Sequence, residues 1–162
     1  MIIFSQWTQF LDLIQIPMKK EFKNFIRVDG TMDSSSRDES FNKFKEQDDC
    51  KIALLSLHAC GVGLNLSEAN HVLFCDPWWN PMVEQQAIDR THRIGQEKIV
   101  HIYKFLVYQT VEQKIKYLQM KKQRIADEAL GELNSATSDT LSVSDLEFLF
   151  SSRSYFAPVN SQ

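Results

Sequence analysis

The chain has 162 residues, 43% hydrophobic and 24% charged, enough for one domain with a real core and too apolar for a disordered chain. No apolar run approaches the roughly 20 residues that cross a bilayer, and the N-terminus shows neither a basic leader nor a small-residue cleavage site, so a cytosolic or nuclear protein without a membrane partner is expected. The net charge of -3 is carried entirely beyond residue 130, where Glu132, Asp139, Asp145 and Glu147 face only Arg153; the neutral body argues against a strongly basic nucleic-acid binder, though Lys114, Lys116, Lys121, Lys122 and Arg124 crowd one segment.

Met1 to Phe4 is a β-branched and aromatic run that predicts a first strand. Ser5 is the expected N-cap of an amphipathic helix carrying Trp7, Phe10, Leu11 and Ile14. Pro17 falls inside that pattern and is expected to kink or end the helix near Ile16, because its ring excludes one hydrogen bond. Phe25 to Val28 predicts a second strand closed by Asp29-Gly30. Ser34 to Ser36 precede a helix with apolar Phe41 and Phe44, and Lys51 to Leu55 and His71 to Cys75 predict the third and fourth strands. Pro81 opens a helix expected to reach Ile94 and stop at Gly95. Ile99 to Val107 predicts a fifth strand, followed by a long helix from about Thr110 to Leu130.

Strands separated by helices of this length cannot form hairpins, so the pattern predicts an α/β fold: a doubly wound parallel sheet with helices on both faces and a C-terminal helical extension. Ligands then gather at the carboxyl ends of strands, at Ser5-Gln6, Asp29-Gly30, Ser56 to Leu66 and Asp76 to Pro81. The expected organisation is a lobe over residues 1–130, a linker and short docking helix over 131–150, and a disordered tail over 151–162. The docking helix, Val143 to Phe150, is expected to pack through Leu146, Leu149 and Phe150.

Cys50, Cys60 and Cys75 are odd in number and form no C-x-x-C pair, and His58, His71, His92 and His101 have no ligand spacing, so reduced buried thiols and no metal are expected. Gly61 and Gly63, directly after a strand, suit either a close approach to a ligand or an ordinary tight turn. Arg90 and Arg93, three apart on the expected helix, could clamp one anionic group or merely answer the macrodipole. Trp78 and Trp79 could both pack inward, or one could lie against a nucleic-acid sugar or base. The basic residues of the long helix lie mainly off its apolar stripe, which fits a solvated face or phosphate contact.

Ile2 to Trp7, Arg27 to Gly30, Leu54 to Leu57, Gly61 to Leu66, Asp76 to Pro81 and Gln86 to Gln96, taken in that order, resemble the C-terminal lobe of SWI/SNF-like ATPases of helicase superfamily two. Ile16-Pro17, the double tryptophan and Leu146 to Phe150 are most similar to the branch of the helicase-like transcription factor and its DNA damage tolerance relatives. The resemblance implies a RecA-like lobe that completes a motor sandwiching ATP and Mg²⁺ against an N-terminal lobe, in an ATP-dependent double-stranded DNA translocase of remodelling or repair. It implies that Arg90 and Arg93 are the arginine fingers and that Gly61, Gly63, Asn65 and Gln86 serve the nucleotide. Ser5, Gln6, Gly30, Ser56 and Trp79 fall where the family touches the DNA backbone.

Two departures accompany the resemblance. Cys60 stands where relatives carry a further glycine, and no G-x-x-x-x-G-K-[ST] run or Mg²⁺-binding acidic box occurs. The sequence therefore leads us to expect a fragment, split gene or truncated gene model, without the zinc-binding RING module of that branch and without ATP hydrolysis by itself. The expected partners are double-stranded DNA, the missing N-terminal ATPase lobe and chromatin or replication-fork proteins, in the nucleus. The alternative is a truncated, catalytically inactive DNA- or partner-binding module. A plain α/β enzyme would need acid/base pairs in the strand-end loops, and none stands out.

Overall fold

The computed structural model describes residues 1–61, 66–93, 95–129 and 140–151, with backbone alone at 60, 61 and 127–129. Gly63, Asn65, Ile94, Leu130, most of the expected linker and the tail beyond Ser151 lie outside the described residues. The chain divides into two compact units, Met1–Asp76 with Met82–Phe105, and Pro77–Pro81 with Leu106–Gln162.

The first unit holds a parallel sheet of β1 (Ile2–Ser5), β2 (Ile26–Val28), β3 (Ala53–Ser56), β4 (His71–Phe74) and β5 (His101–Lys104), in the order β2-β3-β1-β4-β5. Its helices are α1 (Thr8–Glu21), α2 (Ser34–Glu46) and α3 (Pro81–Thr91), with a short 3₁₀ turn at Leu57–Gly61. Register explains the layers. Ile3, Leu54 and Leu73 are cross-strand neighbours and so share one face. On that face Leu11, Ile14 and Met18 of α1 pack with Ile52, Phe25 and Cys75. Phe4, Leu55 and Phe74 occupy the opposite face, where the Phe4 and Phe74 rings stack at 5.2 Å. There Lys104, in register with Phe74, pairs with Glu84 of α3, so helices cover both faces as the alternation predicts. Leu11 is fully buried, and truncating such a leucine to alanine costs about 2–5 kcal/mol.

Several local expectations change. Of the two outcomes expected at Pro17, a kink or an end, the end does not occur: α1 runs through Pro17 to Glu21. Leu13 and Pro17 are both exposed, so the Leu13 carbonyl that loses its donor faces water, and the helix keeps its inward stripe. Trp7 is the N-cap of α1, without a side-chain cap; Ser5 is drawn away into a bond with Asp76. Ser34 to Ser36 form the first turn of α2 rather than preceding it, and the cap is Asp33, which accepts from the Ser36 N–H at 2.9 Å. The fifth strand is confined to His101–Lys104, all four residues exposed at the sheet edge. Cys50 and Cys75 are free thiols; burial, with the Asp76 carboxylate beside it, pushes Cys75 up to about 11.

In the second unit α4 (Val111–Ala129) and α5 (Val143–Phe150) pack against each other. α5 starts on a capping box in which the Ser142 hydroxyl and the Asp145 carboxylate each accept from the other's backbone N–H. It packs through Phe148, whose ring lies 5.3 Å from that of Tyr117, whereas Phe150 is 83% exposed. Of the expected contacts through Leu146, Leu149 and Phe150, Leu146 and Phe150 are exposed and Leu149 is half-buried, with Phe148 inward beside it, because an eight-residue helix turns only one stripe inward.

Candidate functional site

The chain leaves β1 toward β2 on one side of the sheet and leaves β4 toward β5 on the other, so neighbouring β1 and β4 form the switch point of the strand order, where ligands gather in such sheets. Ser5 closes β1 there and Asp76 follows β4. The Ser5 hydroxyl donates to one Asp76 carboxylate oxygen, and the Gln6 N–H donates to the other at 2.9 Å. Ser5 Oγ in turn accepts from the Trp7 N–H at 3.0 Å. Ser5 and Ser56, in register at the ends of adjacent strands, are both buried. Gln6 is half-buried at the rim.

Beside them, after β2, the Asp29 carboxylate accepts from the Thr31 hydroxyl at 2.6 Å, the Thr31 N–H at 3.0 Å and Arg27 Nε at 3.2 Å. The Thr31 hydroxyl, and then the Thr31 N–H and the Arg27 charge, hold this carboxyl below the usual range against the opposing effect of burial. Arg27 also reaches Asp12, Gln15 Oε1 at 3.0 Å and the Thr8 carbonyl at 3.3 Å, tying α1 to this turn. Gly30 sits exposed on the turn, with open space where a Cβ would stand.

The arginine segment differs from the expectation. α3 ends at Thr91, so Arg93 lies beyond it and the shared helix face proposed for Arg90 and Arg93 does not form. Gln86 and Arg90, four residues apart within α3, do share one side. Arg93 is exposed after the turn, and Gly95, at φ 102, takes the left-handed conformation that suits glycine. The helix stops early because Gln96 holds the following segment. Its side-chain amide donates to the carbonyls of Ser67 at 2.7 Å and Ala69 at 2.9 Å, and its Oε1 accepts from the Lys98 N–H at 3.0 Å.

Arg90 is joined to the exit of the glycine loop: its carbonyl accepts from the Leu66 N–H at 3.0 Å. Its Nε is buried and finds no hydrogen-bond partner among the described residues. Gly61 ends the 3₁₀ turn after β3, at the entry of the same loop. Leu66, just after the loop's last residue, is therefore held against the last turn of α3. In the second unit, Trp79 lies half-buried beside Trp78, their ring centroids 6.0 Å apart, with Lys122 Nζ 4.6 Å from the Trp79 ring centroid. Gln119 fixes this loop by donating to the Trp78 carbonyl at 2.6 Å.

Sequence reasoning named no partner for Asp76, Gln96, Arg27 or Lys122. Asp76 had a signal, an acid immediately after a strand of a parallel sheet; Gln96 and Arg27 act across the chain and leave no local pattern.

Residues 1–95 match the family described as the helicase conserved C-terminal domain. The chain is 47% identical over 129 residues to DNA repair protein RAD5A of Arabidopsis thaliana, covering 80% of this chain and 12% of that protein. It is 44% identical over 150 residues to helicase-like transcription factor CHR27 of Arabidopsis thaliana, covering 92% and 14%. With DNA repair protein rad8 of Schizosaccharomyces pombe it shares 42% over 149 residues, covering 92% and 13%. The chain thus spans between 12% and 14% of the length of these relatives. The solved C-terminal part of the Fun30 ATPase domain superposes with a TM-score of 0.69 at 38% identity, over 73% of this chain and 38% of that one.

Proposed function

We propose, since the chain belongs to the family of helicase conserved C-terminal domains and to its SWI/SNF kind with a RecA-like fold, that it is the C-terminal motor lobe of an ATP-dependent double-stranded DNA translocase acting in the nucleus in DNA repair or chromatin remodelling. The observation that carries this reading is the bond between Leu66 and Arg90, which sets the glycine loop's exit against an arginine whose buried Nε lacks a partner among the described residues. A buried guanidinium nitrogen without an acceptor costs free energy until an anion meets it. The terminal phosphate of ATP suits that role, with Arg93 exposed nearby in sequence and Gln86 on the Arg90 side of α3.

No G-x-x-x-x-G-K-[ST] run occurs in these 162 residues, so we assign the phosphate cradle and the Mg²⁺ ligands to an N-terminal lobe that shares the ATP, and expect the chain by itself to turn over no ATP. Gly61, Gly63 and Asn65 belong to the loop that serves the nucleotide. Gln6, Gly30 and Trp79 meet the DNA backbone, with Ser5 and Ser56 positioning the strand ends below. Chromatin or replication-fork proteins are the remaining partners. The RAD5A and rad8 names, both of DNA repair proteins, favour repair.

The test is a two-lobe protein made by joining this chain to a first lobe from a relative. Arg93→Ala and Arg93→Lys are expected to lower DNA-stimulated ATP turnover by about 10³ to 10⁵, the range seen when an arginine finger is removed. Lysine keeps the charge but lacks the planar fork. The unfolding midpoint should stay at its wild-type value, because Arg93 is exposed beyond α3. Activity loss in step with earlier melting would make Arg93 a structural residue and overturn the assignment.

A further inference from the structure

α5 is fastened to α4 at both ends. At its first turn, Asp145 Oδ2 lies 4.0 Å from Lys122 Nζ, with only 12% and 18% of these side chains exposed. At its C-terminal end, Lys114 Nζ donates to the carbonyls of Leu149, at 3.2 Å, and Ser151. Between the two, Phe148 packs on Tyr117. The helix dipole favours this arrangement, with a carboxylate in the first turn and an ammonium on the last carbonyls.

Two of the five basic residues of α4 are thereby committed to α5. Lys122 is the more telling, because the same ammonium lies over the Trp79 ring. A polyanion that approached Trp79 would compete with Asp145 for Lys122, and one that spread along α4 would next compete with the α5 carbonyls for Lys114. The ion pair is at the outer limit of contact, and α5 turns Phe150 and Val143 to solvent.

We propose that Trp79, Lys122 and Lys114 form a binding surface for the phosphate backbone of duplex DNA, and that α5 occupies it in cis, so that DNA binding there and α5 docking exclude each other. The proposal rests on the assignment of Trp79 to the DNA backbone. What it adds is the two lysines and the acidic helix that withholds them. Releasing α5 returns two cations to the surface, and each lysine that neutralises a phosphate adds about 0.9 to the steepness with which affinity falls with salt.

The experiment uses the whole 162-residue chain and a random-sequence duplex, with affinity measured over a salt series and α5 followed by hydrogen exchange. Asp145→Asn keeps an acceptor for the Ser142 N–H but removes the charge, and Phe148→Ala loosens α5 without touching a charge. Both variants are expected to bind DNA more tightly, by about 1.5- to 5-fold, the range of a weak ion pair. Lys122→Gln added to Asp145→Asn should abolish the gain, and DNA should speed exchange of amides 143–151 in the unmutated chain. If DNA binds but neither α5 variant changes affinity and exchange stays the same, the cis-occupancy proposal is overturned while the DNA reading stands. If even the released variants bind no DNA, both fall.

Discussion

Ser5 and Asp76, 71 residues apart in sequence, share a buried hydroxyl to carboxylate hydrogen bond at the carboxyl ends of adjacent strands β1 and β4. The same carboxylate also fixes the Gln6 N–H. One acid thus holds the start of the first loop from the neighbouring strand.

Asp76→Ala is expected to destabilise the chain by about 1–3 kcal/mol, because it strips the acceptor from the Gln6 N–H and from a fully buried hydroxyl. Asp76→Asn should cost less, since its amide oxygen can still accept from Gln6. Urea unfolding midpoints rank the two; equal midpoints for alanine, asparagine and wild type would remove Asp76 from this role.

Gln96→Ala removes a side chain that bonds the carbonyls of Ser67 and Ala69 and the Lys98 N–H. Each lost bond contributes about 0.5–1.5 kcal/mol, so a fall in the melting midpoint is expected. Gln96→Glu should fail to restore it, because a carboxylate cannot donate to the two carbonyls. Thermal unfolding of both variants, with faster hydrogen exchange at 66–69, is the check.

Gly30→Ala should leave stability within about 0.5 kcal/mol of wild type, as its φ is not left-handed and a methyl there meets nothing. In a restored two-lobe protein the same change should weaken DNA binding, since the methyl would stand where the backbone is to approach. Equal affinity for both proteins would take Gly30 out of the DNA surface.

The Asp29 carboxyl titrates below 3.8 in the folded chain, chiefly through the Thr31 hydroxyl. Its stabilising contribution is therefore fully present above pH 3.8 and is lost as pH falls through the lower folded value. Asp29→Asn should flatten the stability profile in that acid window and change its shape little near neutrality. Unfolding measured in urea from about pH 5 to about pH 2 shows whether the profiles converge at the acid end.

Strands and their parallel pairing were legible because each is a compact apolar run parted from the next by a helix, and β1 and β3 carry side chains buried on both faces. The α5 limits, Val143 to Phe150, match the expected helix, and the structure adds the reciprocal cap between Ser142 and Asp145 that starts it. The end of α3 was not legible. Local pattern carries a helix from Pro81 to Gly95, but Gln96 reaches back to Ser67 and Ala69, and those tertiary bonds fix the segment after Thr91 in another course. Ser5 was read as a cap from its neighbours, although its partner is Asp76. Pro17 does not end α1, because the inward stripe of Leu11, Ile14 and Met18 outweighs one missing backbone bond on the wet side. In the site, the arginines and the glycine loop were visible as residue types, whereas the meeting of Leu66 with Arg90 depends on the fold alone.

The edge strand β5 shapes how the chain behaves in a tube. It ends the parallel ladder, and Ile102, Tyr103 and the following Phe105 are 42%, 45% and 57% exposed. Such a border is a template onto which a strand of another molecule can add, and the neutral charge of residues 1–130 offers little mutual repulsion to keep molecules apart. Concentrated samples should therefore grow in hydrodynamic size unless a charged residue is placed on that border, for instance by Tyr103→Lys.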